Sequence, residues 1–162
     1  MVFMSNGYAK NKFLCDTTVG KLAKLLRMIG LDTEMCQSHQ PGDVIEVSLN
    51  QERTILTRNT AIAEMKLARN ILLIYEYEPY DQFRTVLKQF RIEIERDKLL
   101  TRCMVDNAVL DTVSKEDIKG RVWPYVYETQ DDFKKCPKCG RIYWPATHVN
   151  AMIDKLKDEK LL

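Results

Sequence analysis

Residues 12–36 read KFLCDTTVGKLAKLLRMIGLDTEMC, and the fold class follows from them. The stretch opens with a short apolar run that ends in the acid Asp16, which is typical of a buried strand. Over residues 19–29 apolar side chains recur at the spacing of an amphipathic helix, and Gly30 stands where a helix C-terminal glycine belongs. A second strand is predicted over residues 31–36. The stretch therefore predicts a β-α-β unit.

The same alternation continues through the next 50 or so residues. The predicted elements are a helix from Pro41 to about Leu49, a strand over 53–57, a helix over 60–68, a strand over 70–75 and a helix over 79–90. Strands that alternate with helices of this length predict a parallel sheet with helices on both faces.

After Asp97 the alternation of strands and helices stops. Short β-type runs, turn residues and cysteines follow until a predicted terminal helix over residues 149–159. We therefore predict two units, residues 11–98 and residues 99–162. The second unit contains the sequence KCPKCGRIYW at residues 135–144. Two cysteines separated by two residues and followed by glycine form a tight turn that can supply two ligands of a tetrahedral zinc site.

Composition narrows the class of protein. The chain has 162 residues, 45% of them hydrophobic and 30% charged, with a formal net charge of +2. No apolar run approaches the roughly 20 residues that a membrane-spanning helix needs, and residues 1–11 lack a signal-peptide pattern. We therefore expect a cytoplasmic protein without membrane contact. Five cysteines are an odd number, which favours free thiols or metal ligands over a disulfide framework.

Positive charge is concentrated near the N-terminus. From Lys10 to Arg27 a single acid, Asp16, accompanies five basic residues: Lys10, Lys12, Lys21, Lys24 and Arg27. This stretch is either a surface that faces phosphates or a solvated helix face.

Polar side chains follow the predicted strands at their carboxyl ends, the edge at which open parallel sheets bind ligands. Asp16 ends the first strand, Asp43 begins the helix after the second, and Asn59 follows the third. Oxygen ligands of this kind suit Mg²⁺ or Mn²⁺, and such an ion can activate water for phosphodiester cleavage. The alternative is that these residues are helix caps and exposed loop acids. No glycine-rich phosphate loop is present, which argues against a nucleotide cofactor.

Several motifs, in order along the chain, resemble the Mut-seven C-terminal RNase domain family. The matching segments are residues 13–16 (FLCD), 20–27 (GKLAKLLR), 30–33 (GLDT), 55–58 (ILTR), Gln82, Arg102-Cys103, 136–144 (CPKCGRIYW) and Thr147-His148. The resemblance implies a PIN-like nuclease fold, α/β with a parallel sheet flanked by helices, followed by a small zinc-ribbon-like module. It also implies metal-dependent RNA cleavage, with Asp16, Asp43 and the residue after Thr57-Arg58 as metal ligands.

Two positions depart from the family pattern. Asn59 stands where the family has aspartate, and an amide oxygen can bind Mg²⁺ but brings no charge and cannot act as a base. In the ribbon, the first knuckle reads Cys103-Met104-Val105-Asp106, so that aspartate replaces the second cysteine. The expected zinc ligands are therefore Cys103, Asp106, Cys136 and Cys139, with His148 as a rival for the fourth position. The alternative is a metal-free ribbon held by aromatic residues, namely Trp123, Tyr125, Tyr143 and Trp144.

The sequence leaves two functional hypotheses. The first is a ribonuclease that uses Mg²⁺ or Mn²⁺ at Asp16, Asp43 and Asn59, with RNA phosphates held by basic residues: Lys21, Lys24, Arg27 and Arg58. The second is a non-catalytic RNA-binding or protein-interaction module that keeps the fold without the full set of acids.

Overall fold

The computed structural model describes residues 11–66, 70–145 and 147–158, apart from the side chains of residues 147, 148 and 157. The strands are β1 (Lys12–Cys15), β2 (Asp32–Met35), β3 (Thr54–Thr57), β4 (Ile71–Leu73), β5 (Asp111–Val113), β6 (Phe133–Lys135) and β7 (Ile142–Tyr143). The α-helices are α1 (Gly20–Met28), α2 (Pro41–Gln51), α3 (Thr60–Ala63), α4 (Pro79–Phe90), α5 (Pro124–Thr129) and α6 (Thr147–Asp158). None of the helices that the structure describes has the length and apolar character to cross a lipid bilayer.

The first four strands form a parallel sheet in the order β2-β1-β3-β4, which confirms the predicted α/β fold class. Neighbouring residues of each strand point to opposite faces. Phe13 packs with α1 and α4, whereas Leu14 packs with α2 and α3. Both side chains are fully buried. The central strands are therefore apolar on both faces, as parallel strands covered by helices must be.

Element boundaries differ from the prediction chiefly at α3. The predicted third helix extends to residue 68, but α3 ends at Ala63, and residues 67–69 lie outside the described part of the chain. The predicted last residue of the terminal helix, 159, is likewise outside it. Gly30 does follow the first helix, with a φ of +86°, and a Cβ there would lie 2.5 Å from the Lys98 carbonyl oxygen. Glycine is thus required at this position both by the backbone conformation and by the close approach of another segment.

The last three strands form a separate antiparallel sheet in the order β5-β6-β7. A small cluster around the buried Cys103 and Cys136 lies beside it. The chain then returns to the first sheet, because α6 contributes Val149, Met152 and Leu156 to the same core as Phe13. The division into residues 11–98 and 99–162 stays a prediction, and this packing means that the two segments share a core.

Candidate active site and metal cluster

Asp16 follows β1 at the carboxyl edge of the parallel sheet, and only 3% of the residue is exposed. Its Oδ1 accepts a hydrogen bond from the Thr18 N–H at 3.0 Å, and its Oδ2 accepts one from Thr57 Oγ1 at 2.7 Å. Strand β1 is central, with β2 on one side and β3 on the other. The carboxylate is therefore held in one orientation between two neighbouring loops.

Asn59 lies beside this carboxylate through a shared hydroxyl group. The Asn59 N–H donates to Thr57 Oγ1 at 2.9 Å, the same oxygen that donates to Asp16. The Asn59 side chain caps α3, because its Oδ1 accepts from the Ala61 N–H at 3.0 Å. Aspartate is about as good a helix N-cap as asparagine, so the local backbone does not demand the amide.

Asp43 reaches the same edge from the other side of β1. It lies exposed in the first turn of α2, and its Oδ2 accepts a hydrogen bond from Ser38 Oγ. The loop before α2 also touches the end of β1, since Thr17 Oγ1 lies 3.2 Å from His39 Nδ1. Asp16 and Asn59 thus lie together through the Thr57 hydroxyl, whereas Asp43 lies in the first turn of α2, after the neighbouring strand β2.

The chemistry of these donors fits a hard divalent cation such as Mg²⁺ or Mn²⁺, because all of them are oxygen atoms. Two of the three side chains, Asp16 and Asp43, carry charge. Asn59 adds an amide oxygen and no charge. The set is therefore one negative charge short of a three-acid site, which lowers its attraction for a cation.

A cleft of about 810 Å³ opens beside Asp16 and Asn59, although its lining includes the neighbours of these two residues and not Asp16, Asn59 or Asp43 themselves. Its wall includes Thr17 and Thr18, the two residues that follow Asp16, and it extends over α1 to the first cysteine knuckle and Arg141. The cationic residues in its lining are Lys21, Lys24, Arg27, Arg58 and Arg141, against one acid, Glu78. Such a lining gives the cleft a positive potential, which attracts polyanions.

Tyr77 is a cleft residue that the sequence analysis missed. Its ring lies 4.0 Å from the Arg58 guanidinium carbon in a cation–π contact, and the residue is 80% exposed. The Nε of Arg58 is buried without a hydrogen-bond partner among the described residues. Tyr77 comes four residues after the end of β4, so its place at a strand's carboxyl end was the available signal.

Arg27 was predicted to hold RNA phosphates, and the structure corrects this. Although the residue forms part of the cleft floor, only 3% of it is exposed. Its Nε donates to the Thr33 carbonyl at 2.7 Å, and its Nη1 donates to the carbonyls of Met104 and Val105, both at 2.9 Å. Helix α1 turns this side chain inward, so Arg27 fastens the first cysteine knuckle to the sheet. Lys21 and Lys24, also on α1, are exposed.

The four predicted metal ligands come together. One ligand atom each from Cys103, Asp106, Cys136 and Cys139 lies within 4.8 Å of all the others. Cys103 Sγ and Cys139 Sγ are 3.7 Å apart, and Cys136 Sγ lies 3.3 Å from either carboxylate oxygen of Asp106. Zinc–sulfur bonds of about 2.3 Å in a tetrahedron place neighbouring sulfur atoms about 3.8 Å apart. The cluster can therefore hold a zinc-like ion.

The two knuckles have matching backbones. The Asn107 N–H donates to the Cys103 carbonyl at 3.0 Å, and the Gly140 N–H donates to the Cys136 carbonyl at the same distance. Both Asn107 and Gly140 have positive φ, 65° and 70°. Asparagine tolerates this left-handed conformation better than most residues. The equivalence places Asp106 at the position of a second cysteine.

Local hydrogen bonds lower the pKa of the Asp106 carboxyl group. Burial raises the pKa of Asp106, and the hydrogen bond from the Ala108 N–H lowers it. Donation from the Cys139, Cys136 and Cys103 thiols adds to the second effect, so that the pKa falls to about 2. The carboxyl group is therefore ionised at neutral pH.

The predicted aromatic core of the ribbon is only half right. Tyr143 Oη lies 3.0 Å from Cys103 Sγ, and the Trp144 ring lies 6.5 Å from that of Phe133. Trp123 and Tyr125 are 77% and 74% exposed and do not hold this core, because Trp123, the N-cap of α5, and Tyr125, in its first turn, face solvent. The His148 side chain, the rival zinc ligand, lies outside the described residues.

Taken together, the parallel sheet with polar residues at its carboxyl edge and the cysteine-knuckle ribbon define an α/β protein with a PIN-like fold and a C-terminal module whose cysteine cluster can hold a metal ion. The chain belongs to the Mut7-C RNAse domain family, which it matches over residues 11–156. This confirms the resemblance seen in the sequence and indicates a nuclease role. No curated protein and no solved structure matches the chain.

Proposed function

We propose that the protein is a Mg²⁺- or Mn²⁺-dependent ribonuclease that cleaves RNA phosphodiesters at the carboxyl edge of its parallel sheet. The observation that carries this proposal is the junction of the acidic edge with the basic cleft. Thr17 and Thr18 line the cleft and directly follow Asp16, and Arg58 lines it and directly precedes Asn59.

Each residue has a distinct part in this proposal. Asp16 and Asp43 would supply the charged oxygen ligands, and Asn59 a neutral one. Lys21, Lys24 and Arg58 would bind phosphate groups on either side of the scissile bond and hold the strand in place. Contacts of this kind fix the position of RNA without reading its sequence.

The hydrogen bonds around Asp16 suit this role. Thr57 and Thr18 hold the carboxylate in one orientation, so little reorganisation accompanies ion binding. A bound divalent ion would supply the Lewis-acid chemistry of phosphodiester cleavage, polarising a water molecule and neutralising charge on the leaving oxygen.

Asn59 favours a second candidate, a non-catalytic RNA-binding module on the same fold. With one acid missing, the cleft would still attract RNA, but the edge would bind the divalent ion too weakly for cleavage. The family's pattern of aspartate at this position makes Asn59 the residue that separates the two candidates.

The test is cleavage of labelled single-stranded RNA with added Mn²⁺, comparing the wild type with Asn59→Asp and Asp16→Asn. A ribonuclease is expected to lose cleavage in Asp16→Asn and to gain it in Asn59→Asp. Asp111→Asn is the matched control, since Asp111 is an exposed acid on β5. Intact RNA with every variant, including Asn59→Asp, together with salt-sensitive binding, would reject the enzyme and support the second candidate.

We also propose that the ion in the knuckle cluster is Zn²⁺. Three thiol ligands and one carboxylate suit zinc better than the hard cations of the acidic edge. Because Arg27 bonds to Met104 and Val105 of the first knuckle, a metal there would also stabilise one wall of the cleft. Elemental analysis of purified protein tests this, with about one zinc per chain expected.

A further inference from the structure

A second cavity, of about 530 Å³, lies on the outer side of the ribbon. The chain contains two tryptophans, Trp123 and Trp144, and both line this cavity. Trp123 is 77% exposed. A large aromatic side chain left in water at the mouth of a cavity is typical of a binding surface.

The walls of this cavity are held by the surrounding structure. Trp123 immediately precedes Pro124, the first residue of α5, and Trp144 packs on the buried Phe133. Arg121 Nη2 donates to the Gly140 carbonyl at 3.2 Å, which ties one wall to the second cysteine knuckle. The Trp144 ring and the Arg121 guanidinium are therefore held by contacts, and the Trp123 backbone is fixed at the start of α5.

The charged residues that line the cavity are all basic. Arg121 and Arg141 line it, and none of its described lining residues is acidic. Arginine beside tryptophan suits a flat ring that carries a neighbouring phosphate, because the aromatic face stacks and the guanidinium pairs with the anion.

Arg141 belongs to both cavities: it lines the aromatic pocket and also the basic cleft along the sheet edge. The two binding surfaces are thus continuous. We propose that the pocket of Trp123, Trp144, Arg121 and Arg141 binds an unpaired nucleobase of an RNA strand whose phosphates lie in the cleft. This inference rests on the RNA-binding part of the proposed function. A sequence-tolerant stacking site of this kind would favour single strands over duplexes, because paired bases do not present their faces.

The two tryptophans make the pocket directly observable. A single-stranded oligoadenylate of about ten nucleotides is titrated into the protein without added Mg²⁺ or Mn²⁺, and tryptophan emission is followed. Saturable quenching is expected. In parallel, anisotropy of the labelled strand should show about 5- to 150-fold weaker binding for Trp123→Ala. Tyr125→Ala is the matched control, since Tyr125 is an equally exposed aromatic residue on α5 that does not line the pocket, and its affinity should be unchanged.

The outcomes separate this inference from the proposed function. If the strand binds, and binding weakens in Lys21→Ala, but tryptophan emission is constant and Trp123→Ala keeps its affinity, the base pocket is wrong while the cleft stands. If an otherwise identical strand without bases quenches the emission as strongly, stacking is refuted as well. If no strand binds under any salt condition, both proposals fall.

Discussion

Thr57 Oγ1 donates a hydrogen bond of 2.7 Å to Oδ2 of Asp16, so the ends of β3 and β1 are joined by side chains as well as by the sheet. The same hydroxyl oxygen accepts the Asn59 N–H. One buried hydroxyl thus fixes the positions of both Asp16 and Asn59 in the candidate active site.

Thr57→Val removes both hydrogen bonds at nearly constant volume. It should lower the free energy of unfolding by about 1–3 kcal/mol, because a buried carboxylate oxygen and a backbone N–H lose their partner. Urea unfolding measures this. Thr54→Val on the same strand is the control, since Thr54 is only half-buried. Equal stability of the two variants would contradict the ordering role of Thr57.

Asn59 is expected to matter for stability only as a helix cap. Asn59→Ala should lower the free energy of unfolding by about 1 kcal/mol, whereas Asn59→Asp should keep the cap. Urea unfolding of both variants checks this. If Asn59→Asp unfolds at as low a urea concentration as Asn59→Ala, aspartate does not keep the cap. The RNA cleavage of Asn59→Asp would then have to be compared with that of the wild type at an equal folded fraction.

Arg27 is expected to behave as a structural residue. Arg27→Met leaves three carbonyl oxygens without their charged donor and should cost about 3 kcal/mol or more in unfolding free energy. Lys24→Met on the same helix changes the same charge at an exposed position and should cost less than about 0.5 kcal/mol. For RNA affinity the two variants should rank the other way. Lys24→Met should weaken binding more than Arg27→Met and should lower the salt dependence of affinity. A stable Arg27→Met protein with weak RNA binding would restore the original prediction for Arg27.

Metal binding is expected to depend on Asp106. Asp106→Ala should lose bound zinc and melt at a lower temperature, and chelator treatment of the wild type should have the same effect, because a structural ion supplies folding energy. Asp106→Cys should retain zinc more strongly. Elemental analysis and thermal melting test this, with Asp111→Ala as the control. A wild type that is free of metal and equally stable in chelator would reject the site.

Acid stability should depend on Asp32, which joins β2 to the first knuckle. Burial raises its pKa, but hydrogen bonds from Arg53 at 2.8 Å and Asn107 at 2.7 Å outweigh this, so that the pKa is lowered in the folded state. The ionised group therefore stabilises the fold above its unfolded pKa of about 3.9, and this stability is lost as pH falls through the folded pKa. Unfolding free energy measured between pH 6 and 3 or so should fall less steeply in Asp32→Asn than in wild type. Identical slopes would contradict the prediction.

The sequence predicted the sheet well because its signals are local. Apolar runs such as residues 71–74, the glycine after α1 and the spacing of Cys136 and Cys139 each reflect a constraint that acts within a few residues. Cys15 and Cys36, which lie outside the knuckles, are both buried.

What the sequence could not reveal depends on contacts between distant segments. Arg27 looks like its exposed neighbours Lys21 and Lys24, but two of the three carbonyl groups that accept its hydrogen bonds are 77 and 78 residues away. Asn107 gave no signal either, although its side chain accepts the Thr33 N–H at 3.0 Å and donates to Asp32. The exposure of Trp123 could not be predicted because residues in a short ribbon have no clear periodicity to show which face is buried.

The return of α6 to the first core sets the order in which the nascent chain can be completed. Val149, Met152 and Leu156 fill space beside Phe13 and α4, and Lys155 lies 3.8 Å from the Tyr80 ring. Because synthesis proceeds from the N-terminus, the parallel sheet emerges from the ribosome with this part of its apolar surface still open to water. The cysteine knuckles leave the ribosome next, and only afterwards is α6 available to cover this apolar surface. A chain cut before residue 147 would carry a complete metal cluster and still be prone to aggregate.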